Sequence, residues 1–353
     1  MTRIDHTGHR LRPVTIEAQP YNAETPAQAL CTHDITPNGS FYVRNHFAVP
    51  QIALVAWRLK IGGAVAHELA LTLNEIKTLP ARTVTATLEC AGNGRTHMRP
   101  LPPGAPWQDG AVGTATWTGV PLRQLLDRAE PRDGAREVLF QGADQGLEGG
   151  QRLAFERSLP LKDAQRGDVL VAYRMNGRPL PALHGSPLRL IVPGWYGVAS
   201  VKWLARITVL TAPFEGWYMA ARYIYADAKR ASPTPVRHMQ VKSLITEPLN
   251  GTTLHAGHVC TVSGLAWSGS GLIREVAVRL NDAKWHKAKL SRRSFGRYAW
   301  RRWSINWKPT SPGRYLLTAR ASDNQGNIQP LEPVWNFYGY GYNYPTPTIV
   351  HAV

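Results

Sequence analysis

The chain has 353 residues, 43% hydrophobic and 18% charged, with a formal net charge of +17; this excludes a disordered protein and allows two cores. No apolar run is long enough to span a bilayer, and Met1 to Pro20 lacks a signal-type apolar core. A soluble, cytoplasmic chain is expected, or a periplasmic one if an export signal has been removed, and Cys31, Cys90 and Cys260 lie too far apart for a CxxC zinc site, a thioredoxin motif or a CxxCH haem attachment.

Residues 1–20 show no periodicity and read as a surface arm. Phe41 to Phe47 is a short aromatic segment carrying Arg44, Asn45 and His46 in succession, polar groups that need partners if buried. Trp57 to Ile61 and Val65 to Leu69, joined at Gly62-Gly63, predict a hairpin. Thr72-Leu73-Asn74-Glu75 is a capping box opening a helix through Leu79. Thr83 to Leu88 alternates threonine with Val84, Ala86 and Leu88, which predicts a strand with one buried face. It ends at Cys90 beside Gly92 and Gly94, which free the backbone for positive φ and close approach to a bound group. With Arg95 and turn amides nearby, Cys90 is expected to ionise more easily than a buried thiol, and thiolate binds soft metals.

Farther along, Pro100 to Pro106 predicts a loop ending at Trp107, Leu122 to Ala129 a helix, and Glu137 to Gln141 a strand closed by Gly142-Ala143-Asp144. Val169 to Tyr173 and Leu188 to Pro193 read as strands around Asn176-Gly177 and His184-Gly185-Ser186. Ser200 and Lys202 precede a strand at Ile207 to Leu210. Strand ends thus repeatedly present Arg, His, Asp, Ser or Lys at glycine turns, a set that can converge on one anion. Residues 226–240 read as a linker. Beyond it, Val241 to Ile245, Leu254 to Leu265, Ile273 to Leu280, Trp300 to Trp307, Arg314 to Ala321 and Pro333 to Phe337 are short, regularly spaced strands, the pattern of an immunoglobulin-type sandwich without its disulfide. The expected architecture is a mixed α+β domain over 21–225 followed by an all-β domain over 241–353.

Basic charge concentrates between Lys284 and Trp303, where eight lysines and arginines occur without an acid, interleaved with Trp285, Tyr298, Trp300 and Trp303. Such a face suits a polyanion or single-stranded nucleic acid, or is a solvated hairpin.

Together, Val43-Arg44-Asn45-His46, Glu89-Cys90-Ala91-Gly92-Asn93-Gly94-Arg95, His184-Gly185-Ser186-Pro187-Leu188-Arg189, Val201-Lys202-Trp203-Leu204, Gly264-Leu265-Ala266-Trp267 and Ala299-Trp300-Arg301 resemble, in order, the sulfite oxidase family of molybdopterin enzymes. The resemblance implies molybdenum on a pyranopterin dithiolene with Cys90 as its protein ligand. It implies that Asn45, His46, Asp144, His184, Arg189, Ser200 and Lys202 hold the cofactor. It further implies that Arg44, Arg95 and Arg301 line the substrate pocket, with Trp107 as a wall and Tyr223, or its competitor Tyr218, as the pocket tyrosine. Gly94 departs from the family, many of whose members carry another arginine there. The expected reaction is sulfite oxidation, with nitrate or another oxyanion reduced at the same cofactor as the alternative and a non-enzymatic polyanion binder as the second. A homodimer, a small oxyanion substrate, an external electron acceptor, no haem, no membrane and no nucleic-acid partner complete the expectations.

Overall fold

A computed structural model describes residues 11–226, 232–281 and 283–353. Local sequence chemistry sets the helices. Thr72 and Glu75 complete a reciprocal capping box that opens the helix Leu73–Thr78. Leu122–Ala129 buries Leu122, Leu125, Leu126 and Ala129, spaced i, i+3, i+4 and i+7 along one stripe. Each of those leucines contributes roughly 1.5–3 kcal/mol by leaving water. The remaining helices are short, and strands dominate the described residues.

Two five-stranded sheets form the first half. One runs Arg178–Pro179, Leu170–Met175, Val112–Pro121, Arg82–Glu89, with Arg189–Ile191 also pairing Leu170–Met175. The other runs Leu69–Leu71, Leu59–Gly63, Leu204–Leu210, Glu137–Glu148, Gln151–Pro160. A hairpin forms here but not with the expected turn: Gly62 and Gly63 belong to the strand Leu59–Gly63, the connection runs over 64–68, and the second strand is Leu69–Leu71, with Leu59 opposite Leu71 and Ile61 opposite Leu69. The strand predicted to stop at Gln141 instead continues to Glu148 and returns as Gln151–Pro160 through Gly149 and Gly150, both at positive φ. Part of the expected surface arm is ordered, because Val14–Glu17 pairs with Asn22–Glu24. Of the expected linker, residues 227–231 lie outside the described residues, and Thr234–Pro235 pairs back onto Ile224–Tyr225.

In the second half, a sheet ordered Lys242–Glu247, Cys260–Trp267, Arg301–Trp307, Lys289–Leu290 and another ordered Thr252–Leu254, Thr348–Ala352, Gly313–Asp323, Ile273–Leu280, His286–Lys287 share one apolar core. Trp303, Val262, Val276, Leu317 and Val350 lie within it. The strand expected at 333–337 is irregular; Trp335 donates its indole N–H to Pro100 O instead, and the last strand of the sheet is Thr348–Ala352, which lies between Thr252–Leu254 and Gly313–Asp323.

The halves meet along the Arg82–Glu89 strand. Its start is exposed, Val84 and Thr85 are both half-buried, and from Ala86 to Glu89 both faces are buried, so the expected single buried face is not found. The reason is tertiary: Thr87 N–H donates to Tyr298 O at 2.8 Å, Trp300 N–H donates to Thr87 Oγ1 at 2.9 Å, and Thr87 pairs with Thr114 through their hydroxyls at 2.6 Å.

Candidate active site

Cys90 sits where that strand stops, its N–H held by Ala111 O at 2.8 Å. It opens onto a cavity that is also lined by Arg44, His46, Asp144, His184, Arg189, Ser200, Lys202 and Tyr223. Most of these groups come from strand ends and turns, whereas Asp144 lies within the strand Glu137–Glu148 at an irregularity in its pairing between Gln141 and Gln145.

Burial decides the protonation chemistry. The Cys90 thiol is pushed up by desolvation, which outweighs the lowering by Arg44, the Gly92 N–H and Arg95. This corrects the expectation of an easily ionised thiol: an apolar wall of Leu88, Phe41 and Tyr42 withholds the water a thiolate needs. A bound cation would supply the missing stabilisation, since a coordinating thiol loses its proton outright. His46 is held well below its ordinary value by burial, then by Arg44 and Lys202, and is neutral. One of its ring nitrogens meets the Tyr223 hydroxyl at 2.7 Å, and its ring stacks on Phe155 at 4.6 Å. His184 is pushed down to about 3 by burial and by Arg189, while its ring nitrogen contacts Asn38 O at 3.1 Å.

Arg189 donates to His184 O and Ser200 O, both at 3.1 Å, with its guanidinium 4.9 Å from the Trp117 ring centroid. The Ser200 hydroxyl accepts from Val192 N–H at 3.1 Å. Lys202 donates to Asn45 Oδ1 and Leu183 O, and Asn45 accepts this bond while its own N–H is held by Asn22 Oδ1 at 2.6 Å. Asn45 therefore orients Lys202 from outside the cavity lining. Arg44 donates to Asn45 O. Burial raises the Asp144 carboxyl and lowers the Lys202 ammonium. Two atoms of cavity-lining residues, Asp144 Oδ1 and Arg189 Nε, are buried without a hydrogen-bond partner. Buried polar groups are normally satisfied, so this pair marks room for a polar ligand.

The two candidate tyrosines separate cleanly. Tyr223 lines the cavity, whereas the Tyr218 hydroxyl is spent on Glu148. Arg95 and Trp107 lie beside the cavity rather than on its wall. Arg95 donates to Tyr338 O at 3.1 Å and Ala105 O at 2.6 Å, and Trp107 is buried in the apolar cluster that holds Cys90. Arg301 is a correction. Its guanidinium donates to Ser291 O within its own sheet and does not reach the cavity, while Arg302 binds Asp34 at 2.6 Å. The second half instead sends in the segment Tyr338 to Tyr342: Gly341 N–H donates to Ala91 O at 2.7 Å and Tyr340 stacks on Tyr223 with centroids 4.9 Å apart. Alternating Gly and Tyr at 338–342 was its only sequence signal, and Gly339 and Gly341 both take positive φ. Glu89 and Lys242 were also missed. Both are buried and paired at 3.3 Å, and Glu89 further accepts from Trp267 Nε1 at 2.9 Å and Asn93 Nδ2 at 3.0 Å.

Among the described residues no group of three or more His, Cys, Asp or Glu is arranged to hold a metal ion. A metal at Cys90 would thus take its other ligands from a cofactor, and a cavity combining one thiol, three cationic side chains and two unpaired polar atoms fits a sulfur-ligated metal on an anionic organic group.

Comparison with known proteins agrees. The oxidoreductase molybdopterin binding domain matches residues 46–218, and the Mo-co oxidoreductase dimerisation domain matches residues 234–345. The chain is 36% identical to sulfite oxidase of Gallus gallus over 350 residues, covering 91% of this chain and 74% of that protein. It is 35% identical to mitochondrial sulfite oxidase of Homo sapiens, covering 91% of this chain and 62% of that longer protein. A nitrate reductase [NADH] of Solanum lycopersicum is 32% identical, with 91% of this chain matching 39% of it. Among solved structures, the sulfane dehydrogenase SoxCD of Paracoccus pantotrophus superposes with a TM-score of 0.82 at 28% identity, covering 96% of this chain and 87% of that one. A thiol-ended strand facing an anion-binding cavity, together with identity above one third across most of both chains, places this protein in the sulfite oxidase family of molybdopterin-dependent oxidoreductases.

Proposed function

We propose that the chain oxidises sulfite to sulfate and passes the two electrons to an external acceptor. The observation that carries this is the cavity in which Cys90 and the unpaired Asp144 and Arg189 atoms lie together. When bound, the molybdenum cofactor supplies the oxygen-atom transfer and the two-electron redox change. Cys90 holds the metal through its thiolate. Arg189, Lys202, Ser200 and His184 would hold the pterin and its phosphate, with Asn45 fixing Lys202 and the unpartnered Asp144 Oδ1 offering an acceptor. His46 and Tyr223 hold one another on the cavity wall, which fixes the position of the tyrosine hydroxyl there. Arg44, on the cavity wall, is the arginine we assign to the substrate, and Arg95 lies beside the cavity with its guanidinium 5.4 Å from the Tyr340 ring centroid; planar, always-charged donors suit a small oxyanion.

The second half has the two-sheet build of an immunoglobulin-like domain, and we assign it to homodimerisation. The short stretch Ile328, Leu331, Val334 and Phe337 exposes each side chain by half or more, an apolar strip that suits a twofold partner. Nitrate reduction is the second reading, supported by the resemblance to the tomato reductase. Metal analysis followed by turnover of sulfite with ferricyanide, and of nitrate with reduced viologen, separates the readings: sulfite turnover on molybdenum-replete protein is expected, and nitrate turnover without it would replace the first with the second.

A further inference from the structure

We propose that the basic pit around Tyr298 is the docking surface for an acidic electron-accepting protein, an inference that rests on the oxidation proposed above because that reaction releases electrons that must leave the molecule. The pit is lined by Arg82, Arg166, Arg297 and His238 around a single carboxylate, Asp168. That carboxylate is already engaged, by Arg166 at 3.1 Å and by the Tyr298 hydroxyl. Arg297 and Arg82, both on the lining of the pit, are exposed, and neither has a carboxylate at ion-pair distance among the described residues. The pit therefore presents uncompensated positive charge on a chain whose formal net charge is +17, which favours encounter with an acidic partner.

Position gives the charge its purpose. Tyr298 is joined to the Cys90 strand: Tyr298 O accepts from Thr87 N–H at 2.8 Å, and Ala86 bridges Tyr298 in parallel. Thr87 lies three residues before Cys90, roughly 10 Å along a strand that rises about 3.3 Å per residue. A redox centre docked on the pit is connected to the thiol by one hydrogen bond and a short run of covalent backbone. In the balanced step, sulfite and water give sulfate, two protons and two electrons; the sulfur lone pair becomes the new S–O bond, and two one-electron centres of the partner are reduced.

A nucleic-acid occupant fits less well. Binding single strands requires exposed aromatic faces on which bases stack. Trp300 and Trp303 are buried, at 2% and 1% exposure, and the Tyr298 hydroxyl is tied to Asp168.

The test uses the molybdenum-loaded protein with an acidic c-type cytochrome, a basic one and a single-stranded oligonucleotide as probes, measured by calorimetric binding at low and high salt. The acidic cytochrome is expected to bind and to be lost with salt, and the exposed-residue variant Arg82→Glu/Arg297→Glu is expected to weaken it by roughly tenfold or more. Its sulfite KM with an uncharged benzoquinone acceptor should match wild type, since neither arginine lines the Cys90 cavity. Equal binding of both cytochromes, an unchanged double variant, or an oligonucleotide bound more tightly than either cytochrome would overturn the proposal. Absence of sulfite turnover with benzoquinone would instead overturn the functional reading, and the binding measurement, which needs no turnover, still decides the docking surface.

Discussion

At the scale of single residues, chemistry at the cavity turns on Cys90 and on which arginine reaches it. Cys90→Ser is expected to abolish sulfite turnover while the melting temperature stays close to wild type, because serine is isosteric but a poor ligand for a soft metal. Cys31→Ser and Cys260→Ser should leave turnover unchanged, since neither residue lines the cavity; wild-type turnover in Cys90→Ser would refute the ligand assignment. For the arginines, Arg44→Met should raise the sulfite KM by about ten- to a hundredfold, the equivalent of a charged hydrogen bond worth roughly 1.5–3 kcal/mol. Arg301→Met should leave KM within about twofold, because its guanidinium is spent on Ser291 O. Steady-state kinetics on both variants decides between them. Glu24 offers a stability test far from turnover. Burial raises its carboxyl to about 7, and it accepts the Gln108 N–H. The folded state thus holds its proton to higher pH than the unfolded chain, so stability is fully present below the ordinary carboxylate value of about 4.5 and declines as pH rises to about 7. Glu24→Gln, which keeps the acceptor oxygen, should remove that decline and raise the melting temperature at pH 8 relative to wild type while changing it little at pH 4.5; equal shifts at both would show that the carboxyl is not proton-linked to folding.

At the scale of elements, the turn that carries Cys90 is braced from the other half of the molecule. Glu89, one residue before the thiol, receives Trp267 Nε1 and Asn93 Nδ2 and pairs with Lys242, which also donates to Asn93 O at 3.3 Å. Asn93 Oδ1 in turn accepts Ala111 N–H at 3.0 Å, and Ala111 O holds Cys90 N–H. Removing one partner leaves a buried charge alone, at a cost of roughly 3–5 kcal/mol. Lys242→Met should therefore lower the denaturation midpoint markedly, and adding Glu89→Gln should recover part of the loss, because an amide oxygen still accepts the indole N–H without a charge. Urea melts of the single and double variants measure this, and a double variant no more stable than Lys242→Met would mean the loss is one of packing rather than charge.

For the whole molecule, the chain is expected to run in light scattering at about twice its 39.1 kDa mass. Leu331→Asp together with Val334→Asp, at positions 58% and 51% exposed, should yield a monomer of unchanged fold by circular dichroism. A dimer that survives both charges would place the interface elsewhere.

Local order was legible in the sequence because it is encoded locally. The capping box at Thr72, the apolar stripe from Leu122 to Ala129, the alternating threonines before Cys90 and the strand Ile273–Leu280 each follow from residues within one turn or one pleat of each other. So was much of the membership of the cavity, because Cys90, His46, His184, Arg189, Ser200 and Lys202 sit in or next to the short motifs that carry the family resemblance, several of them at glycine turns. Tertiary structure alone decided the rest. Whether a strand residue faces a site depends on a parity that one residue of register reverses, so the side chain of Arg301 could not be aimed from its neighbours. Tyr340 reaches Tyr223 across more than a hundred residues of chain, and the tilt of the Cys90 thiol toward its protonated form comes from burial beneath Phe41, Tyr42 and Leu88. Desolvation is a property of everything packed around an atom, and no stretch of sequence contains it.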